Sequence, residues 1–115
     1  MKTFNNTLIQ ITQNGMGNGD EQLGLQLVAN YLKLLNEENE LPKFIALYNA
    51  GVKPTCTGSP VIEIIKAMEK RGVKFIVCKT CLKHFNLMGE MEVGIAGTMI
   101  DIIELQKISD NVINL

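Results

Sequence analysis

Apolar and polar positions along the chain alternate in blocks of two kinds. Short runs rich in β-branched residues recur at Thr7–Thr12, Phe44–Tyr48, Val73–Val77, Glu92–Ala96 and Asn111–Leu115, and runs of this length bounded by turn residues read as strands. Between them lie longer segments with helical spacing. From about Asp20 to Asn36, Leu23, Leu27, Tyr31 and Leu34 form one stripe and Leu25, Val28, Leu32 and Leu35 a second beside it. A helix apolar over so much of its circumference is expected to pack against more than one neighbour, the sheet and a second subunit. Val61, Ile64, Ile65 and Met68 give the spacing of another helix laid on a sheet. A short helix is expected through Leu82 and Phe85, and a last one in which Met99, Ile102 and Ile103 face the sheet.

Local signals place the ends. Asn18 with Glu21, and Thr98 with Asp101, have capping-box spacing. Ser59 before Pro60 reads as a cap and first turn. Glu69-Lys70-Arg71-Gly72 has the charge and glycine of a helix C-terminus. Strands alternating with helices imply an α/β fold, a three-layer α/β/α arrangement around a mostly parallel five-stranded sheet, within a single domain spanning residues 1–115. The strand order does not follow from the pattern.

Composition narrows the function. A formal net charge of −1 with one arginine, Arg71, argues against a nucleic-acid surface, which needs clustered cations. No apolar run approaches the ~20 residues of a membrane span. The segment from Met1 to Asn6 has no signal-peptide core, so a cytoplasmic protein is expected. Three cysteines, Cys56, Cys78 and Cys81, are too few for a disulfide framework.

The chemistry concentrates at Phe75-Ile76-Val77-Cys78-Lys79-Thr80-Cys81-Leu82. A buried strand here feeds the start of a helix, which puts Cys78 at the strand's carboxyl end and Cys81 in or near the first helical turn. That edge of an open α/β sheet is where ligands bind. A helix N-terminus and nearby lysines, Lys79 and Lys83, favour the reactive thiolate. The pair supports three chemistries. It fits a dithiol redox centre. It fits a zinc site with His84 and Cys56, although no second close cysteine pair accompanies it. It also fits a sulfur carrier, with Cys78 bearing a persulfide and Cys81 resolving it. The bland alternative is two half-buried thiols that share a turn.

Other candidates carry less. Gly15-Met16-Gly17-Asn18-Gly19 lacks both the dinucleotide and the P-loop spacing; its glycines are expected to permit a tight turn and let backbone line a pocket near Cys78. Cys56 reads as an incidental loop cysteine, His84 as a partly exposed helix residue, and Glu37, Glu38 and Glu40 as a solvated connector.

Gly15-Met16-Gly17 with Leu23-Gly24, Tyr48-Asn49-Ala50-Gly51-Val52, Gly58-Ser59, Gly72-Val73, Cys78-Lys79-Thr80-Cys81-Leu82 and Val93-Gly94 together resemble the DsrE-like sulfur-relay superfamily. The chain looks most similar to the DsrE-like domain of YedF-type proteins, described as sulfurtransferase-like and linked to selenium metabolism. The resemblance implies a homo-oligomer (a dimer or trimer) that takes sulfur or selenium from a donor protein and passes it to an acceptor protein. It implies Cys78 as the persulfide-bearing residue, with Cys81 as the second thiol. Gly15, Met16, Gly17, Asn49, Lys79 and Thr80 are expected to bind substrate around them, with no cofactor and no metal. Lys79 stands where glycine is expected in a Cys-Gly-Thr-Cys form, and the Cys-Pro-x-Pro domain that precedes YedF-type modules is not seen, so the donor is expected to be a separate protein. The alternatives are a non-catalytic oligomeric binding module with a vestigial or metal-binding cysteine pair, and a dithiol oxidoreductase.

Overall fold

The computed structural model describes residues 3–115; Met1 and Lys2, which begin the polar N-terminal segment, lie outside them. In chain order the elements are β1 (Thr7–Ile11), α1 (Glu21–Asn36), β2 (Phe44–Leu47), a 3₁₀ segment (Asn49–Thr55), α2 (Ile62–Lys70), β3 (Lys74–Cys78), α3 (Lys79–His84), β4 (Ile95–Gly97), α4 (Met99–Ile108) and β5 (Asn111–Asn114). Every pairing is parallel, and the sheet order is β4-β3-β2-β1-β5. The expected α/β architecture is therefore present, with a sheet that is parallel throughout.

The order decides which helices share a face. Three successive connections step the chain from β1 to β4 in one direction, and right-handed crossovers put α1, α2 and α3 on one side. The return from β4 to β5 reverses direction and puts α4 on the other. Two lone hydrogen bonds agree: Gln106 of α4 donates to Gln10 of β1 at 2.7 Å, and Glu69 of α2 accepts from Gly94 N–H at 3.0 Å. Ile9, Ile11, Ile45, Leu47, Phe75 and Val77 fill the core beneath α1 and α2, all fully buried. Among the described residues the one buried side-chain amide, that of Gln10, is satisfied on both sides, because its nitrogen also donates to Asn114. A buried polar group without partners is costly, so this strand keeps its glutamine only because β5 and α4 meet it.

Several boundaries differ from those read in the pattern. Asp20, not Asn18, caps α1, its carboxylate accepting from Leu23 N–H at 2.7 Å; an anion directly at the first turn also suits the helix dipole. Gly24, Val28, Leu32 and Leu35 are the residues α1 buries, while Leu23, Leu27 and Leu34 are exposed. α2 starts at Ile62, two residues later than Ser59-Pro60 suggested. Ser59 instead closes a turn by accepting from Val61 N–H at 3.2 Å. β4 starts late because Glu92 N–H is taken by Thr55 O and Gly94 N–H by Glu69. The Thr98–Asp101 capping box is present and sets the phase of α4. In that phase Ile102 and Leu105 turn inward, and Met99 and Ile103, expected against the sheet, are exposed.

One close approach ties the loops to the sheet. Tyr48 N–H donates to Ile11 O at 3.1 Å, and the backbone of Gly51 lies so near that a Cβ there would come within 1.9 Å of the same oxygen. Replacing Gly51 by alanine forces the 3₁₀ segment off the end of β1. We expect Gly51→Ala to cost about 3 kcal/mol or more in chemical denaturation; a loss within about 1 kcal/mol would mean the segment shifts freely.

Candidate thiol site at the end of the third strand

Cys78 is the last residue of β3 and the cap residue of α3, so its backbone leaves the sheet and enters the helix in one step. Its φ of −63° and ψ of 116° are extended, which lets the strand run on while the next residue begins the turn. The residue is 2% exposed. Cys81 follows in the first turn of α3, half-buried. Its thiol donates to the sulfur of Cys78 at 3.0 Å, and both cysteines are free.

Asn49 completes the arrangement. It opens the 3₁₀ segment in the left-handed region, φ 54°, and its backbone N–H donates to Cys81 Sγ at 3.1 Å. Asparagine tolerates this conformation better than most residues. The result is a relay of donors, from Asn49 N–H to Cys81 and from Cys81 to Cys78. Burial, the hydrogen bond with Cys78 and the nearby charge of Cys78 push the Cys81 thiol above the ordinary cysteine range, against a lowering by Asn49 N–H. Cys81 therefore holds its proton at neutral pH and keeps it directed at Cys78.

The helix that carries the pair is short and is held by one buried residue of its own and by contacts beyond its end. Leu82 is fully buried, Leu87 N–H closes onto Leu82 O, and the ammonium of Lys53 sits 4.7 Å from the centroid of the Phe85 ring. The Lys53 contact braces α3 against the 3₁₀ segment that also supplies Asn49. On the other side, the register pairs Cys78 with Gly97 of β4.

The remaining sequence candidates are placed as follows. Lys79 and Thr80 are exposed on the first turn of α3. The Gly15–Gly17 loop is fastened to α1: Met16 N–H donates to Gly24 O at 2.9 Å, and a Cβ on Gly15 would meet Gly24 C at 2.3 Å. Of the hydrogen bonds described, Asn49 N–H is the one that reaches the thiols from another element. His84 stacks edge-on to Phe85, ring centroids 5.1 Å apart. Cys56 is buried, donates to Val52 O at 3.5 Å and has its thiol pushed up, chiefly by burial. It lines a separate cavity of about 360 Å³ with Asn14, Lys53, Ser59 and Phe85. Among the described residues no three histidine, cysteine or carboxylate side chains converge as a metal site, so the cysteines and His84 are not gathered around one point. Sequence reasoning missed the use Cys81 makes of Asn49 N–H; the only trace was an asparagine just past a strand end.

Fold and site together define a parallel α/β protein with a paired thiol at a strand's carboxyl end. The chain belongs to the DsrE/DsrF-like family, which it matches over residues 8–115. Solved structures agree on the fold. A protein of unknown function from Methanobacterium thermoautotrophicum, MTH1491, superposes with a TM-score of 0.68 at 18% identity, covering 95% of this chain and 97% of that one. The YchN protein of E. coli gives 0.61 at 16% identity, with 95% and 98% covered. BT1422 of Bacteroides thetaiotaomicron, a conserved protein of unknown function, gives 0.65 at 17% identity over 100% and 99%. No curated protein matches the chain.

The thiol relay predicts a specific titration. Alkylation of Cys81 followed against pH has its midpoint above that of an unperturbed cysteine. Cys78→Ala removes two of the raising contributions, so the midpoint falls; a midpoint that stays or rises contradicts the relay.

Proposed function

We propose that the protein is a sulfurtransferase-like carrier of sulfur, or of selenium, that holds the atom on Cys78. The observation that carries this reading is the 3.0 Å contact in which Cys81 points its thiol proton at the sulfur of a strand-end cysteine. A hydrogen bond to the sulfur stabilises negative charge on it, and the thiolate is the nucleophilic form. Cys78 attacks the outer sulfur of a donor persulfide. The bond from Cys78 to that sulfur forms, the donor's sulfur–sulfur bond breaks, and the donor leaves as a thiolate. N–H groups opening α3, from Lys79 to Cys81, lie beside the new anionic sulfur, and the Gly15–Gly17 loop with Asn49 completes the substrate-binding surface.

An acceptor nucleophile then takes the outer sulfur and frees Cys78. In its absence Cys81 attacks the inner sulfur of the persulfide, forming a Cys78–Cys81 disulfide and releasing the outer sulfur as hydrogen sulfide. A thiol reductant of the cell must restore the pair. Family membership supports sulfur relay as the setting, and the second thiol is the YedF-like feature. On this reading the protein is cytoplasmic, meets separate donor and acceptor proteins and assembles as a homo-oligomer. Among the described residues no helix is long and apolar enough to cross a membrane.

Intact-mass spectrometry after incubation of the reduced protein with a persulfide donor is the test. We expect one added sulfur in Cys81→Ser, the added sulfur or a disulfide with hydrogen sulfide released in the wild type, and at least tenfold less added sulfur in Cys78→Ser. Normal uptake by Cys78→Ser overturns the proposal. Loss of two hydrogens in the wild type with no hydrogen sulfide released, and no sulfur gained by Cys81→Ser, replaces it with a dithiol redox pair.

A further inference from the structure

The carboxyl edge of the sheet holds a second feature besides the thiols. Four segments line the cavity of about 360 Å³ there: the loop after β1, helix α1, the chain from 53 to 60, and the stretch that leaves α3. That size lies within the roughly 300–1,000 Å³ of small-molecule pockets, and this edge is where α/β proteins place their ligands. Leu25 of α1, Phe85 and Leu87 supply the apolar part of the lining, and each is half-buried.

The charge of the lining has one sign. Lys53 is its single charged residue, half-buried, with no carboxylate beside it in the lining. Its ammonium lies 4.7 Å from the centroid of the Phe85 ring. Among the described residues it has no acidic partner; the ion pairs there are Lys66 with Glu63 and Lys107 with Glu104. The oxygen of Ser59 accepts from Val61 N–H at 3.2 Å, which leaves the hydroxyl proton to donate, and Asn14 adds an amide. Glu90 and Glu92 are close enough to help push up the Cys56 thiol, but neither lines the cavity. Cys56 itself is wall rather than nucleophile. It is 4% exposed, its thiol donates to Val52 O at 3.5 Å, and burial opposes its ionisation. A partly desolvated cation with donors beside it and no acid in the lining favours an anion.

We propose that this cavity binds a small organic acid, a carboxylate carried on a compact apolar body. The carboxylate meets Lys53 and the Ser59 hydroxyl, and the body lies against Leu25, Phe85 and Leu87. The same lysine ties the cavity to its neighbour. Asn49 N–H reaches Cys81, and Lys53, four residues after Asn49, covers Phe85, four residues after Cys81. The cavity therefore adjoins the thiol site through the second of these contacts while containing neither of its thiols. The inference does not depend on what Cys78 carries.

Three probes of one shape and different charge test it by fluorine NMR titration: para-fluorophenylacetate, para-fluorophenylethanol and para-fluorophenethylamine. The acid binds saturably and about tenfold or more tighter than the alcohol or the amine. In the protein's amide spectrum the shifts it causes centre on Lys53, Cys56, Ser59 and Leu87. Lys53→Met weakens the acid about tenfold and leaves the alcohol unchanged, with amide signals away from the cavity in place. Lys53→Arg, which keeps the charge, restores the preference for the acid. Four results overturn the proposal: no saturable binding of the acid, equal affinity for all three probes, shifts centred elsewhere, or an acid preference that survives Lys53→Met. A short peptide ending in a free phenylalanine carboxylate is the fourth ligand. If it binds tenfold or more tighter than the free acid, the cavity is a dock for a protein C-terminus and the small-molecule assignment falls.

Discussion

The carbonyl of Ile11 at the end of β1 is the point on which the site depends. It accepts Tyr48 N–H at 3.1 Å, and the backbone of Gly51 is pressed against it with no room for a side chain. The 3₁₀ segment between β2 and α2 is thereby held at one height above the sheet. Its first residue, Asn49, presents a backbone N–H to Cys81. Its fifth, Lys53, covers the ring of Phe85 one helical turn below Cys81. A six-residue helix has little stability of its own. α3 keeps its place because this segment and the buried Leu82 hold it.

That arrangement treats two chemically identical side chains differently. Cys78 belongs to the strand, is almost wholly shielded and accepts a hydrogen bond at sulfur. Cys81 belongs to the helix, is more open and keeps its proton because burial and Cys78 oppose its ionisation. An asymmetry of this kind suits a nucleophile beside a resolving thiol, since exchange proceeds by thiolate attack and is governed by which sulfur is charged and which can be reached. Sheet position adds to it. The carboxyl ends of parallel strands gather the loops that follow β1, β2 and β3 on one edge, where α/β proteins place ligands.

Much of this was legible in the chain. The five strands, the parallel architecture, the position of Cys78 at a strand end and the Thr98–Asp101 box are all local features, carried by β-branched runs and cap spacings a few residues long. What was not legible depends on contacts distant in sequence or on helix phase. The strand order is set by pairings such as Leu8 with Val112. The use of Asn49 N–H follows from a left-handed residue whose conformation is imposed by the packing of Gly51 on Ile11. For α4, apolar residues on both sides leave no single inward stripe to choose, so Met99 and Ile103 were assigned to the sheet when the cap turned them outward. The cause is a helix with apolar residues on more than one side, of which Ile102 and Leu105 are the ones buried.

The most direct test of the account is to locate the transferred atom. Peptide mapping by tandem mass spectrometry, after the reduced protein has been exposed to a persulfide donor and its thiols blocked, places any extra sulfur on Cys56, Cys78 or Cys81. The account predicts it on Cys78. Extra sulfur on Cys81 or Cys56, with Cys78 unmodified, would contradict it.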